Sequence, residues 1–221
     1  MKDILVVDKF ENVLSERSTE IDIRTENQLM REIVKELKST IRKKKLTSLS
    51  APVIGYQKRI FCINFNDVEI KTFINPVITK ASGMQLAKET CTSLPGKKYI
   101  RPRNTGLYIV YQSPNGKIEQ RELIGLAAII CQHEIDHLDG LLLSDIGQEI
   151  PDTYDDFSDE QKQEFISEYL DELDMLNKSY QEEIKTDSEL KQIFDAASFM
   201  ESVYKGETKL DTDEEVTNVL G

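Results

Sequence analysis

The two histidines of this 221-residue chain stand four positions apart in segment 132–137, with a glutamate directly after the first. On a helix, positions i and i+4 lie on one face, with Cβ atoms roughly 5–6 Å apart. His133 and His137 could therefore share one metal ion, and Glu134 would lie beside it to move protons. The plainer alternative is a pair of core or surface histidines that share this spacing by chance.

The segment around the histidines predicts a buried helix. It belongs to an apolar run that begins at Leu123, and its side chains are apolar on almost every face. Gly140 is expected to end the helix, because glycine adopts the left-handed C-cap conformation without strain. A buried helix that carries both histidines on one face favours a metal site over a chance pairing.

Shorter elements surround this helix in the sequence. Residues 25–43 predict an amphipathic helix with a basic end, in which Thr25 and Gln28 form a capping box. Strands are predicted where β-branched and aromatic residues stand between turn residues, at 59–65, 72–74, 107–111 and 117–120. The second strand is expected to stop at Asn75. This pattern indicates an α+β fold, with antiparallel sheets packed around the central metal-binding helix.

The composition favours an intracellular protein. Hydrophobic residues make up 39% of the chain, which is enough for a packed core and argues against wholesale disorder. Three cysteines are too few, and odd in number, for a disulfide framework. The N-terminal apolar run is too short for a signal peptide, and no run approaches membrane-spanning length. We therefore expect a cytoplasmic protein that has no membrane partner.

The net charge of −12 is distributed unevenly. Residues 1–145 carry 22 Lys and Arg against 18 Asp and Glu, a net +4, whereas residues 146–221 carry 6 against 22, a net −16. We place a domain boundary at this change, with a catalytic domain at 1–147 and an acidic helical extension at 148–221 that ends in a loose tail. Direct nucleic-acid binding by the extension is not expected, because its charge repels phosphate.

The extension contains two predicted amphipathic helices, which begin near Ser158 and Thr186. They are expected to fold onto the first domain or onto a second copy of the chain, which would give a homodimer. A dedicated partner surface is the alternative.

Two histidines leave a metal site incomplete, because a catalytic site of this kind has three protein ligands and one position for water. The zinc-protease pattern would place a third histidine where Leu143 stands. Cys91, in the turn-rich segment 89–96, is the better candidate, although a lone cysteine is usually a small core residue. A downstream carboxylate is conceivable, but the sequence singles out none. Cys131 lies two positions before His133 and so faces another side of the helix.

Three segments resemble the motifs of the peptide deformylases. Residues 132–140 look like the third motif, and residues 89–96 resemble the second, Glu-Gly-Cys-Leu-Ser-Val/Ile-Pro. Residues 46–53 lie where the first motif, Gly-x-Gly-x-Ala-Ala-x-Gln, is expected. The order and spacing fit over residues 1–145. This resemblance implies a metal-dependent hydrolase that removes the formyl group from N-formylmethionyl peptides of new proteins.

The resemblance also implies a role for each matching residue. Cys91, His133 and His137 would bind one divalent metal ion, and Glu134 would be the catalytic carboxylate. The backbone N–H of Thr92 would stabilise the oxyanion that forms on the formyl group. A thiolate with two imidazoles accepts iron(II), zinc, nickel or cobalt, and the family natively favours iron(II).

By the same matching, further residues would bind the substrate or support the ligands. The substrate-binding positions are Thr47, Ser48, Val53, Lys98, Leu126, Ile129 and Ile130. Among them, Thr47 and the three residues of segment 126–130 would line the methionine pocket, and Lys98 stands where the family has a peptide-contacting arginine. Glu89, Arg103 and Asp136 would support the ligands, with Arg103 paired to a buried carboxylate such as Glu89.

The first motif departs most from the family. Its oxyanion glutamine aligns with Val53, which cannot donate a hydrogen bond, and such a loss typically costs about 10²–10³ in turnover. Leu46 and Ser48 replace its two glycines, and Thr90 replaces the glycine of the second motif. Two alternatives follow: an impaired protein that binds peptide N-termini or a partner, and an amidase of altered acyl specificity. The acidic extension argues against the ribosome docking that a basic C-terminal helix gives many bacterial members.

Overall fold

The computed structural model describes residues 3–65 and 69–171. By its contacts the chain divides into two units, Met1–Pro151 and Asp152–Gly221, which are described separately. The predicted turn at 66–67, the predicted helix that begins near Thr186 and the tail lie outside the described residues. Among the residues that are described, no helix has the length and apolar character needed to cross a bilayer.

Eight strands and four helices are described in the first unit. The helices are α1 (Val7–Leu14), α2 (Asn27–Lys44), α3 (Leu126–Asp139) and α4 (Leu143–Ile146). The strands are β1 (Ser48–Ser50), β2 (Ile60–Asn64), β3 (Ile70–Ser82), β4 (Gln85–Cys91), β5 (Leu94–Arg103), β6 (Gly106–Gln112), β7 (Ile118–Ile124) and β8 (Gln148–Glu149). They form one sheet in the order β1-β2-β3-β6-β7 and a second in the order β4-β5-β8. Every pairing between these strands is antiparallel, which confirms the predicted α+β class.

The start of α2 differs from the prediction. The helix begins at Asn27, and no side chain caps its N-terminus, so the proposed capping box of Thr25 with Gln28 is wrong. The Thr25 hydroxyl instead donates to Asp22, and Glu26 accepts the backbone N–H of Asp22. These contacts build a turn before the helix, and such a turn competes with a cap for the same short polar side chains.

The prediction that the second strand stops at Asn75 is also wrong, because β3 continues to Ser82. Its pairing with β6 is irregular between Ile74 and Val77, and Asn75 has a positive φ of 47°. The Asn75 side chain accepts the N–H of Ile21 and donates to its carbonyl. A β-bulge with these substitute hydrogen bonds lets the strand pass through Pro76, which cannot donate to a ladder.

Helix α3 packs against the five-stranded sheet through a fully buried face that includes Ala128, Cys131 and Leu138. It is less enclosed than expected, because Leu126 at its start is 70% exposed. Gly140 ends it as predicted, with φ at +74°. A Cβ at this position would collide with the backbone carbonyl of Ser15, so glycine is required both by conformation and by space.

In the second unit, the described part contains a 3-10 turn at Asp152–Asp156 and a helix, α5, that begins at 159 and reaches the last described residue, 171. The predicted cap at Ser158 is confirmed: its N–H donates to the Gln161 side chain over 2.9 Å, and its hydroxyl accepts the Gln161 N–H over 3.3 Å. Tyr154 packs against Phe157 and Phe165.

Candidate metal centre

The end of β4 and one turn of α3 bring three potential metal ligands together. The rings of His133 and His137 have centroids 4.9 Å apart, and the Cys91 sulfur lies 3.2 Å from Nε2 of His137. The potential ligand atoms of all three residues lie within 4.8 Å of one another. One thiolate and two imidazoles form the Cys/His type of donor set that binds zinc or a similar transition metal.

Two unpartnered polar atoms lie beside this cluster. Glu134 Oε2 and His137 Nδ1 are buried and find no hydrogen-bond partner among the described residues. A buried polar atom without a partner typically costs about 1–3 kcal/mol. A water bound to a metal ion at the cluster would give the Glu134 carboxylate a hydrogen-bond partner and so remove this free-energy cost. The residues present therefore fit a metal ion with an associated water. Cys131 is fully buried in the core and does not belong to the cluster.

The cluster changes the ionisation of Cys91. Burial raises the pKa of this thiol, but attraction to His137 and hydrogen bonds from both histidines outweigh burial and lower the pKa to about 5. Burial dominates at the other two cysteines and raises the pKa to about 11 for Cys62 and about 12 for Cys131. Cys91 is therefore the cysteine that ionises below neutral pH, as a metal ligand must.

Glu89 fixes the orientation of His133. Its Oε2 lies 2.8 Å from Nδ1 of His133, and Arg103 donates two further hydrogen bonds to the same carboxylate, at 2.6 and 2.9 Å. Burial raises the pKa of Glu89, but the hydrogen bonds from His133 and Arg103 outweigh it and lower the pKa to about 2. The ionised carboxylate holds Nδ1 and leaves Nε2 of His133 available to a metal, as an outer partner of a ligating histidine does.

Arg103 is itself held by Asp136 on α3. The Asp136 carboxylate accepts hydrogen bonds from Arg103 over 2.6 Å and from Arg101 over 2.9 Å. The Arg103 side chain is 2% exposed, so it depends on these partners for its buried charge. The sequence argument missed Arg101, although its position two residues before Arg103 on one strand places both on the same face.

A cleft of about 350 Å³ opens onto the cluster. Most of the predicted substrate positions line it, namely Thr47, Ser48, Leu126, Ile129 and Ile130, together with the predicted catalytic residues Thr92 and Glu134 and the predicted ligand His133. Lys45, Leu46, Lys88, Glu89 and Thr90 complete the lining. The structure therefore brings the predicted ligands, the predicted proton carrier and most of the predicted pocket to one place.

Two predicted substrate positions lie elsewhere. Val53 belongs to the 3-10 turn Pro52–Ile54, which directs its side chain into the core, where it is 1% exposed. Lys98 is exposed on β5 and does not line the cleft. Their placement does not support the predicted contacts with substrate.

The family model for polypeptide deformylase matches residues 1–150, which is more than half of the chain. The chain belongs to this family. The peptide deformylase of Thermomicrobium roseum is 33% identical over 137 residues, covering 58% of this chain and 78% of the relative. The deformylase match ends one residue before the end of the first structural unit, at Pro151.

Solved deformylase structures share the fold. The crystal structure of peptide deformylase from Thermotoga maritima has a TM-score of 0.60 and 28% identity, covering 66% of this chain and 97% of that chain. The Synechococcus elongatus peptide deformylase, solved in complex with actinonin, has a TM-score of 0.59 and 25% identity, covering 66% of this chain and 78% of that chain.

Proposed function

We propose that this protein is a metal-dependent peptide deformylase that removes the formyl group from the N-terminal formylmethionine of nascent proteins. The observation that carries the proposal is the cluster of Cys91, His133 and His137, with ligand atoms within 4.8 Å at the cleft and Glu134 on the same helix turn. In a chain that matches the family over residues 1–150, this cluster supplies the ligand set that the reaction requires.

The three clustered residues would hold one divalent metal ion, natively iron(II), and the same donors also accept zinc or nickel. When bound, such an ion lowers the pKa of water and polarises the formyl oxygen. Glu89 contributes by holding His133 through Nδ1, while Arg103 and Asp136 keep that carboxylate ionised and in place.

Glu134 would move the proton. It is 3% exposed and its Oε2 has no hydrogen-bond partner among the described residues, so the oxygen is available to an attacking water. The carboxylate accepts the proton of that water as the C–O bond forms, and it then protonates the methionine nitrogen as the C–N bond breaks. The products are formate and a free amino terminus. The backbone N–H of Thr92, at the cleft, would stabilise the negative charge that develops on the formyl oxygen.

The apolar part of the cleft would take the methionine side chain. Leu126, Ile129 and Ile130 line it on one helix face, and Thr47 lies on the opposing segment. Leu126 is 70% exposed without substrate. Covering it with a methionine side chain would gain about 25 cal/mol for each Å² of apolar surface removed from water.

The direct test is to load the purified protein with iron(II), zinc or nickel and to measure formate release from formyl-Met-Ala-Ser. Acetyl-Met-Ala-Ser is the matched control for acyl specificity. We expect Glu134→Gln to lower turnover by about 10²–10⁴ while the protein still binds metal. Cys91→Ala should lose the metal, and Cys131→Ala should keep it because that thiol lies outside the cluster. A metal-loaded protein that releases no formate would contradict the proposal.

Inhibition provides a second, independent readout of the same site. Because the Synechococcus elongatus relative was solved with actinonin, we expect this compound to compete with formyl-Met-Ala-Ser for the metal-loaded protein. Because Cys91→Ala should be inactive without its metal, direct binding of the compound is compared by calorimetry, and loss of binding in this variant would support a site at the cluster. Binding that remains unchanged in this metal-free variant would argue against binding at the cluster.

We also propose that residues 1–147 form the catalytic domain and that the acidic extension, 148–221, associates with a second copy of the chain. The net charge of −16 over residues 146–221 disfavours docking on ribosomal RNA. Truncation after Pro151, which keeps β8 paired with β5, should leave formate release intact and convert a dimer to a monomer in light scattering. A full-length protein that is already monomeric would contradict the dimer.

A further inference from the structure

Ser50 carries a buried hydroxyl at the end of β1 that the proposed mechanism does not use. The residue is 0% exposed, and its Oγ finds no hydrogen-bond partner among the described residues. In the segment 49–54 it is the one polar side chain. Burying a hydroxyl without a partner destabilises a fold, so most buried hydroxyls are hydrogen-bonded. The position of Ser50 relative to the ligand helix shows which group could be its partner.

The strand register places Ser50 on the side of the five-stranded sheet that faces α3. Ser50 pairs with Phe61 of β2, and Phe61 packs in the core cluster that contains Ala128 and Cys131 of α3. Leu49, the preceding residue, packs on the other side of the sheet in the core cluster of α2. Helix α3 also contacts β1 and β2 directly. Ser50 therefore lies between the sheet and the helix that carries the two histidine ligands.

Glu134 is the side chain of α3 that this face of β1 approaches. Ser48, two positions before Ser50 and on the same face, lines the cleft together with Glu134. Burial raises the pKa of Cys62 on β2, and the charge of Glu134 adds to this effect, which agrees with a carboxylate near the pair of β1 and β2. Glu134 Oε2 is also buried without a partner among the described residues. A possible donor and a possible acceptor thus lie on two elements in contact.

The other charged and amide side chains of α3 are less suitable partners. Four of them already have hydrogen-bond partners elsewhere in the domain: Gln132, His133, Asp136 and Asp139. The exception is Nδ1 of His137, which is buried and unpartnered. His137, however, does not line the cleft beside Ser48, whereas Glu134 does.

We propose that Ser50 is a positioning residue for Glu134: its hydroxyl donates a hydrogen bond to a buried water, which donates in turn to the Glu134 carboxylate. This inference rests on the proposed deformylase function, because it assigns the group that orients the proton carrier. One water between a hydroxyl and a carboxylate satisfies both, and buried waters bind at such places in folded proteins. The bridge holds the carboxylate at the cleft, where it accepts the proton of the attacking water.

Ser50→Ala tests this role in the metal-loaded protein. We expect kcat for formyl-Met-Ala-Ser to fall about tenfold, the effect of losing one hydrogen bond to a charged group, while KM changes by less than about twofold. Thr40→Val is the matched control. Thr40 Oγ1 is likewise fully buried and unpartnered, but it lies on α2 outside the cleft, so kcat should be unchanged. An unchanged kcat in Ser50→Ala, or an equal loss in both variants, would overturn the proposal.

Metal affinity separates Glu134 from His137 as the partner of Ser50. Competition against a chromogenic chelator should give the same affinity for Ser50→Ala as for the wild type, because the hydroxyl supports no ligand. A lower affinity would assign the hydroxyl to Nδ1 of His137 and would overturn the proposal.

A double-mutant cycle tests the contact without turnover. Ser50→Ala, Glu134→Met and the double variant are unfolded in urea, since methionine removes both carboxylate oxygens and keeps the length of the side chain. The two single effects on the unfolding equilibrium constant should fail to multiply, with a coupling factor of about fivefold. A coupling factor of one would exclude the bridge, whatever the activity. Absence of formate release from the wild type would contradict the deformylase function, and the cycle would still decide the contact.

Discussion

Oε2 of Glu89 lies 2.8 Å from Nδ1 of His133, and the same carboxylate accepts two hydrogen bonds from Arg103. Because Glu89 on β4 holds Nδ1 of His133, it is Nε2 of this histidine that faces the ligand cluster. Since Arg103 in turn contacts Asp136 on the helix, the orientation of His133 is fixed from both sides.

Removing the charge of Glu89 should weaken metal binding. We expect Glu89→Gln to lower metal affinity about 10- to 100-fold, because the amide orients Nδ1 of His133 less strongly. Glu119→Gln is the matched control: Glu119 is also ion-paired, with Lys71 over 2.7 Å, but it lies on β7 outside the cluster. Competition against a chromogenic chelator gives both affinities. Equal losses in the two variants would contradict a specific role for Glu89.

The depressed pKa of Glu89 predicts a loss of stability in acid. The pKa of Glu89 is about 2 in the folded chain, against an ordinary value of 4.5. This carboxylate therefore stabilises the metal-free fold above pH 4.5, by up to about 3 kcal/mol, and the contribution is lost as the pH falls towards 2. In urea unfolding, the free energy of unfolding should fall more steeply between pH 6 and pH 3 for the wild type than for Glu89→Gln. Parallel curves would show that Glu89 is not ionised as described.

Cys91 should titrate apart from the other cysteines. In chelator-treated protein, absorbance at 240 nm should reveal one thiolate that forms with a pKa of about 5, while Cys62 and Cys131 remain protonated until the pH exceeds 9. Cys91→Ala should remove the low step and leave the others. A first thiol transition above pH 8 in the wild type would exclude the predicted attraction by His137 and His133.

Val53→Gln tests whether the side chain at position 53 packs in the core or reaches the cleft. The Val53 side chain is 1% exposed in the core, so a glutamine there should destabilise the fold by about 1–3 kcal/mol through an unpaired buried amide. Thermal unfolding measures this cost, and Val53→Ala provides the comparison for lost packing alone. An increase in formate release without loss of stability would show that the side chain reaches the cleft after all.

The sequence predicted the elements that local pattern determines. The His-Glu-x-x-His spacing, the C-cap at Gly140 and the strands predicted at 107–111 and 117–120 all depend on residues close in the chain, and each is present. Cys91 was only a candidate ligand from the residues themselves, and family resemblance gave it that role, because it lies 46 positions from His137 and no local periodicity could connect the two.

Features that depend on distant contacts were missed. The passage of β3 through Asn75 requires hydrogen bonds to Ile21, which lies 54 positions earlier. The exposure of Leu126 and the burial of Val53 depend on where the cleft opens between elements that are far apart in sequence. Hydrophobic pattern alone cannot distinguish an apolar side chain in the core from one on the wall of a binding cleft.

The ligand cluster has a mechanical consequence for the domain. Cys91 ends a strand of the three-stranded sheet, whereas both histidines lie on the helix that packs against the five-stranded sheet. A bound ion would link these two layers through its protein ligands. It would also stabilise the fold, because the free energy of metal binding adds to the free energy of folding. Removal of the ion by a chelator should therefore speed amide hydrogen exchange in β4 and β5 more than in β2 and β3. Such a result would mean that the ion stabilises the contact between the two layers in addition to any role in the reaction.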